Sequence, residues 1–162
     1  MSTVFTADNN GPAMMSNTER LDKLSFEFFK NFSLFEFALK ESGYVTAGHY
    51  NAAMVDYRGF DREQARNYVP SNSALRLISL SPASQICDGT NWKWTPRTYT
   101  SHLGGVVECV KTIRNNLFHG GKRGPHGWFD PERVHELLSI GIEVIDELAQ
   151  VDENVFAAYS GR

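Results

Sequence analysis

Apolar residues recur with helical spacing in three long stretches of the chain, near its start, around residue 110 and near its end. Ser16 is followed three residues later by Glu19, the form of a capping box, so a helix is predicted from Ser16 to Ser42, stopped by Gly43. At about 100° per residue, Leu21, Leu24, Phe28, Phe32, Phe35 and Leu39 fall in one stripe, and Phe26, Phe29, Leu34 and Phe37 fall outside it. One face cannot bury both sets. Such a helix is either central to its bundle or covered on a second side by another subunit, and a chain this short has few enclosed places for a helix, which favours the subunit.

From Tyr44 to Met54 the periodicity is lost around Gly48, which predicts a linker or irregular insertion. Asp56 is placed to cap a short helix ending near Asn67. Ala74, Leu75, Leu77, Ile78 and Leu80 predict another, ended by Pro82. Between Ser84 and Pro96, Asp88-Gly89 is a turn signal between Ile86-Cys87 and Trp92-Lys93-Trp94, compatible with a small hairpin whose two indoles share one face and are expected in the core. A third long helix is predicted from between Thr95 and Thr98 to Phe118, stopped by Gly120 and Gly121. A last long helix is capped by Asp130 with Pro131 at its first position and carries Val134, Leu137, Leu138, Val144, Ile145 and Leu148. The fold class expected is all-α: an antiparallel bundle of about four to five helices with an irregular middle. Residues 1–15 are expected to be a flexible lead-in and residues 16–162 a single helical domain.

Composition adds exclusions. An apolar share of 41 % in 162 residues suffices for one core, and a formal charge of −3 means that any nucleic acid must be held by a local positive patch. Cys87 and Cys109 lack CxxC spacing, and no secretory signal is evident, so neither a disulfide framework nor a zinc knuckle is predicted and a cytoplasmic setting is expected. No apolar run approaches the roughly 18 residues of a membrane span.

The chemistry concentrates at the end of the third long helix. Leu103, Val106, Val107, Val110, Ile113 and Leu117 form a tight stripe, and Arg114 projects close to its centre. A guanidinium keeps its charge, so a core-facing Arg must be paired, line a cavity or face a polar interface. One reading is a structural ion pair with a helix carboxylate such as Glu36. The other is a functional pocket, suggested by His119 five residues on, where the helix stops. On an ideal helix the two side chains diverge by about 140°, so they converge only where the helix breaks or where two copies meet. Asn115 and His119 share a face, so the amide is placed to fix the imidazole's tautomer.

The run Arg114-Asn115-Asn116-Leu117-Phe118-His119 resembles the R-x4-H signature of HEPN domains, including the polar residue directly after the Arg. The resemblance reaches from the first long helix to the last, and matches residue by residue only in the motif. It implies a metal-independent ribonuclease of the toxin or defence type, without a cofactor, in which two Arg and two His, one pair from each protomer of a homodimer, converge on RNA. The implied chemistry is attack by the 2′-hydroxyl, with His119 moving the proton, Arg114 stabilising the charge on the phosphoryl oxygens and Asn115 orienting the imidazole or contacting phosphate. The expected product is a 2′,3′-cyclic phosphate. An antitoxin or regulatory protein is a further implied partner. In HEPN toxins paired with a nucleotidyltransferase antitoxin a Tyr commonly lies two residues after the His; here that residue is Gly121, so silencing through that Tyr is not expected.

The loop after the motif offers Lys122, Arg123 and His126 as substrate-binding residues, with Trp128 either stacking on a base or folded into the core. His49, His102 and His135 stand alone without metal-ligand spacing and are expected at the surface or in caps. The alternative to an enzyme is a non-catalytic helical module of the same fold that binds a nucleotide or protein partner.

Overall fold

The computed structural model describes residues 15–120, 122–125 and 127–161. The expected lead-in therefore falls, but for Met15, outside the described residues. The first helix, α1 (Asn17–Glu41), begins with the capping box complete: the Glu19 backbone N–H donates to Ser16 Oγ at 3.2 Å, and the Ser16 backbone N–H donates to Glu19 Oε2 at 2.8 Å. Gly43, at φ +92°, turns the chain away from its end. The predicted stripe is the buried face: Leu21, Phe28, Phe32, Phe35 and Leu39 enter the core, and Leu24 packs against it. Phe26, Phe29, Leu34 and Phe37 stay exposed, Phe26 at 66 % and Phe37 at 53 %.

The segment expected to be irregular is a small antiparallel hairpin, β1 (Val45–Ala47) and β2 (Ala53–Val55), joined through a 3₁₀ turn over His49–Asn51. Two short helices follow, α2 (Tyr57–Gln64), capped by Asp56 as predicted, and α3 (Asn72–Leu80), capped by Ser71. The hairpin anticipated around Asp88-Gly89 is present as β3 (Ser84–Asp88) and β4 (Asn91–Thr95). Its indoles meet edge to face at 5.8 Å, yet Trp92 is 59 % exposed, so this pair is not core.

The helix carrying the motif, α4 (Leu103–Phe118), starts some five residues later than predicted. Its N-terminus has no cap from its own neighbour His102. The Gly104 N–H donates instead to Asp61 of α2 at 2.8 Å, and a Cβ at Gly104 would lie 2.8 Å from that carboxylate. The cap is tertiary, so no local signal marks it. A two-residue-strand hairpin, β5 (Arg123–Gly124) and β6 (Gly127–Trp128), leads to α5 (Pro131–Ala149), capped by Asp130 as predicted. A short helix absent from the sequence expectation, α6 (Glu153–Ser160), follows; Asp152 accepts from the N–H groups of Asn154 and Val155.

The protein is thus mostly helical, with six α-helices and three small two-stranded sheets among the described residues, rather than purely all-α. None of these helices is long and apolar enough to cross a membrane. The core joins α1, α4 and α5 with smaller contributions from the shorter helices, such as Phe60 of α2, Ala74 and Leu77 of α3, and Val155 of α6. Each buried Leu or Phe contributes roughly 1.5–3 kcal/mol. The approach of α1 to α5 is close because residue 141 is glycine: a Cβ there would lie 2.7 Å from the Phe28 ring.

Both cysteines are free, Cys87 exposed on β3 and Cys109 buried in α4. Burial pushes the Cys109 thiol up to about 12, whereas thiol reagents attack the thiolate. Native protein treated with iodoacetamide at neutral pH is expected to carry one label, on Cys87, and to gain the second only in denaturant; two labels under native conditions, read by mass spectrometry, would contradict this packing.

Candidate functional site

The last turns of α4 direct successive side chains to three environments. Asn116 is buried, and its amide donates to the Ala83 carbonyl at 2.8 Å, tying the start of the β3–β4 hairpin to α4. Asn115 is exposed. Arg114 turns toward α1. The buried arc of α4 extends round to Cys109, Thr112 and Asn116 because α3 and the hairpin cover that side. Arg114 therefore stands at the edge of the buried surface and not at its centre, and its side chain is 38 % exposed.

Four neighbours orient the guanidinium. It lies 5.5 Å from the Phe32 ring centre and 5.4 Å from that of Phe118, its Nη2 is 3.9 Å from Glu36 Oε2, and its Nη1 donates to Asn115 Oδ1 at 2.9 Å. Glu36, offered from the sequence as an ion-pair partner, is indeed the nearest carboxylate. It also accepts from the Tyr57 hydroxyl at 2.6 Å. Burial, then that hydrogen bond, push the Tyr57 phenol well above its ordinary value, so it stays a neutral donor that fixes the carboxylate beside Arg114. Among the described residues, one of the five guanidinium N–H groups donates a hydrogen bond, which leaves the fork able to take an anion.

Arg114 opens on a cleft of about 730 Å³ between α1, the β1–β2 hairpin and α4, whose walls include Glu36, Lys40, Tyr57, Arg58 and Lys111. His119, the C-cap of α4, stands exposed at a second cleft of about 300 Å³ with Gln85, Arg97, Lys111, Asn115 and Asn116. Glu108, Lys111 and Asn115 line both, so one ridge of α4 separates and joins the two clefts. Lys111 is engaged by Glu108 at 2.5 Å and lies 4.5 Å over the Tyr57 ring.

The motif residues are therefore adjacent, but Arg114 and His119 open to different clefts of one chain. Asn115 and His119 do share a face, as the spacing predicted. The Asn115 side-chain oxygen accepts from Arg114, which leaves the amide NH2 as the group that could reach the imidazole or a phosphate. The expected substrate loop is only partly seen: all of His126 and the side chain of Arg123 lie outside the described residues. Lys122 is seen on the β3–β4 hairpin, its Nζ 4.7 Å over the Trp94 ring; burial, then the Arg133 guanidinium, hold its ammonium below the ordinary value. Trp128 is half-buried against the core and donates from its indole N–H to Asp22 at 3.0 Å, the structural alternative of the two considered. His49, His102 and His135 are all exposed.

Lys111 was legible in principle, since it lies four residues before Asn115 on the same helical face. Tyr57, Gln85 and Arg97 come from other elements and carried no signal. Comparison with models of known families, with curated proteins and with solved structures finds no match to this chain.

Proposed function

We propose that this chain is a HEPN-type antiparallel helical bundle that acts as a cytoplasmic, metal-independent endoribonuclease of the toxin or defence type, with a site completed by homodimerisation. The observation that carries this is the setting of the motif: Arg114 and His119 stand at the exposed end of one helix, each at its own open cleft, with Asn115 on the ridge between them. A guanidinium fork with free donors and an accessible imidazole are the groups that cleavage of RNA by its own 2′-hydroxyl requires, and two copies of the motif could bring them together. Attack of the 2′-oxygen on the adjacent phosphorus releases the 5′-oxygen of the next nucleotide. One His119 imidazole takes the hydroxyl proton, and that of the second protomer gives a proton to the leaving oxygen. Arg114 neutralises the charge gathering on the phosphoryl oxygens.

The divergence of Arg114 and His119 within one chain favours a composite site. The exposed aromatic residues of α1 favour self-association on the Arg114 side, because Phe29 meets Phe118, itself stacked with Arg114, at 5.2 Å. A second reading has one observation in its favour. Arg114 is already held by Glu36, Phe32 and Phe118, as a purely structural Arg would be, and a non-catalytic module binding a nucleotide or protein through the same clefts needs no more.

The deciding experiment is incubation of the purified protein with single-stranded RNA in excess EDTA. Cleavage that persists and yields 2′,3′-cyclic phosphate ends is expected. Activity that needs added divalent metal, or intact RNA throughout, would overturn the mechanism, and intact RNA would leave the binding module.

A further inference from the structure

The β3–β4 hairpin has a face that neither the core nor the motif chemistry uses. In its antiparallel register Gln85 is opposite Trp94 and Cys87 is opposite Trp92, so these four side chains lie on one face, since directly paired residues project to the same side. Gln85 lines the His119 cleft. The indole pair is therefore the outward continuation of that cleft's wall. Trp94 is covered by Lys122 at 4.7 Å and abuts Trp92 edge to face, while Trp92 itself is left largely in water.

Two further features mark this surface as built for a ligand. Gln85 Nε2 is buried and has no hydrogen-bond partner among the described residues, although it belongs to the wall of an open cleft. A buried amide donor normally finds an acceptor. Arg97, two residues past the end of β4, lines the same cleft, its guanidinium over the Tyr99 ring at 5.4 Å and its Nη1 3.4 Å from Ser84 Oγ. From the cleft outward the order is thus a cation and an unpaired amide, then an indole under an ammonium, then an exposed indole.

We propose that the β3–β4 hairpin is a binding platform for single-stranded RNA, on which a base next to the nucleotide at His119 stacks against Trp92 while Arg97 and Lys122 hold the backbone phosphates. This rests on the ribonuclease reading for the identity of the strand, and extends it to where the strand runs. Charge complementarity favours a polyanion over a second copy of the chain. The indole pair carries the Lys122 ammonium over Trp94 and continues from the cleft that Arg97 lines, whereas the exposed face of α1 presents Phe26, Phe29, Leu34 and Phe37 together. Lys93 is already paired with Asp88 at 2.8 Å, so the phosphate contacts fall to Arg97 and Lys122.

The test uses the wild-type chain and a fluorescein-labelled 2′-O-methyl oligouridylate, which lacks the free hydroxyl and cannot be cut. Fluorescence anisotropy is expected to show binding that Trp92→Ala weakens roughly tenfold, about 1.4 kcal/mol, with Trp92→Phe retaining most of the affinity. Arg97→Ala lowers the slope of log affinity against log salt by about 0.7, and Trp92→Ala leaves it unchanged. Circular dichroism and sedimentation of each variant accompany the titrations. Failure of the wild type to bind, or equal binding by Trp92→Ala, overturns the platform. So does a change of mass in Trp92→Ala, which makes the indole a self-association contact. The ribonuclease reading is tested separately. Binding that depends on Trp92 while ordinary RNA stays intact refutes cleavage alone, and cleavage with Trp92-independent binding refutes the platform alone.

Discussion

Replacing His119 by Ala is expected to lower RNA cleavage by about 10²–10⁴-fold, the range that one positioned general acid or base supplies. The fold should tolerate the change. His119 is exposed at the end of α4, and its contribution to the helix there is a backbone N–H bonded to the Asn115 carbonyl at 2.9 Å, which Ala retains. Its melting temperature should therefore stay close to that of the wild type, the shift corresponding to less than about 1 kcal/mol. Arg114→Ala should lose cleavage to a similar extent. From the sequence, a core-facing Arg114 would cost roughly 3 to 5 kcal/mol when truncated, as one member of a buried pair. The observed guanidinium is 38 % exposed, and Glu36, at 27 %, is 3.9 Å away, so solvent screens the pair and the loss falls to about 1 kcal/mol. Much of that loss comes from uncovering the Phe32 and Phe118 rings. Thermal melts beside single-turnover cleavage separate the outcomes. Two variants that still cut RNA sink the catalytic assignment, and an inactive Arg114→Ala that is largely unfolded sinks the claim that this residue acts in the cleft.

The parts of the fold that were legible are those whose signals are local. The capping box at Ser16, the stripe from Leu21 to Leu39 and the Asp130-Pro131 start of α5 each act within a few residues, and each is observed. The β1–β2 hairpin was not legible because almost all of its strand residues face solvent, so no alternation of apolar and polar residues marks it. The start of α4 was misjudged because its cap comes from Asp61, more than forty residues earlier. The site divides in the same way. Arg114, Asn115 and His119 are readable as a motif because one helix carries them all. Lys122 is three residues from His119 in sequence, but its seat over the Trp94 ring is a tertiary contact that proximity along the chain does not report. Gln85, Arg97 and Tyr57 reach the clefts only through tertiary packing, which periodicity cannot report.

A double substitution on the outer face of α1, Phe26→Glu with Phe37→Glu, is expected to convert a dimer to a monomer and to abolish cleavage with it. Both rings are more than half exposed, lie on the same side of the helix and belong neither to the core nor to the residues packed against it among the described residues, so the interior of the protomer should be untouched. Large aromatic residues left in water along one helix, with Phe29 and Leu34 beside them, constitute an apolar surface of the kind that marks an association site. Two carboxylates placed there meet their symmetry mates in any isologous interface and add repulsion to the lost burial. The link to activity is geometric. Within one chain Arg114 and His119 serve different clefts, and in the proposed composite site the second pair comes from another copy on the Arg114 side of α1. Sedimentation, far-ultraviolet circular dichroism and the cleavage assay on the same preparation decide the matter. A variant that remains dimeric moves the interface elsewhere. A folded monomer that cuts RNA at the wild-type rate shows that one chain carries the whole site.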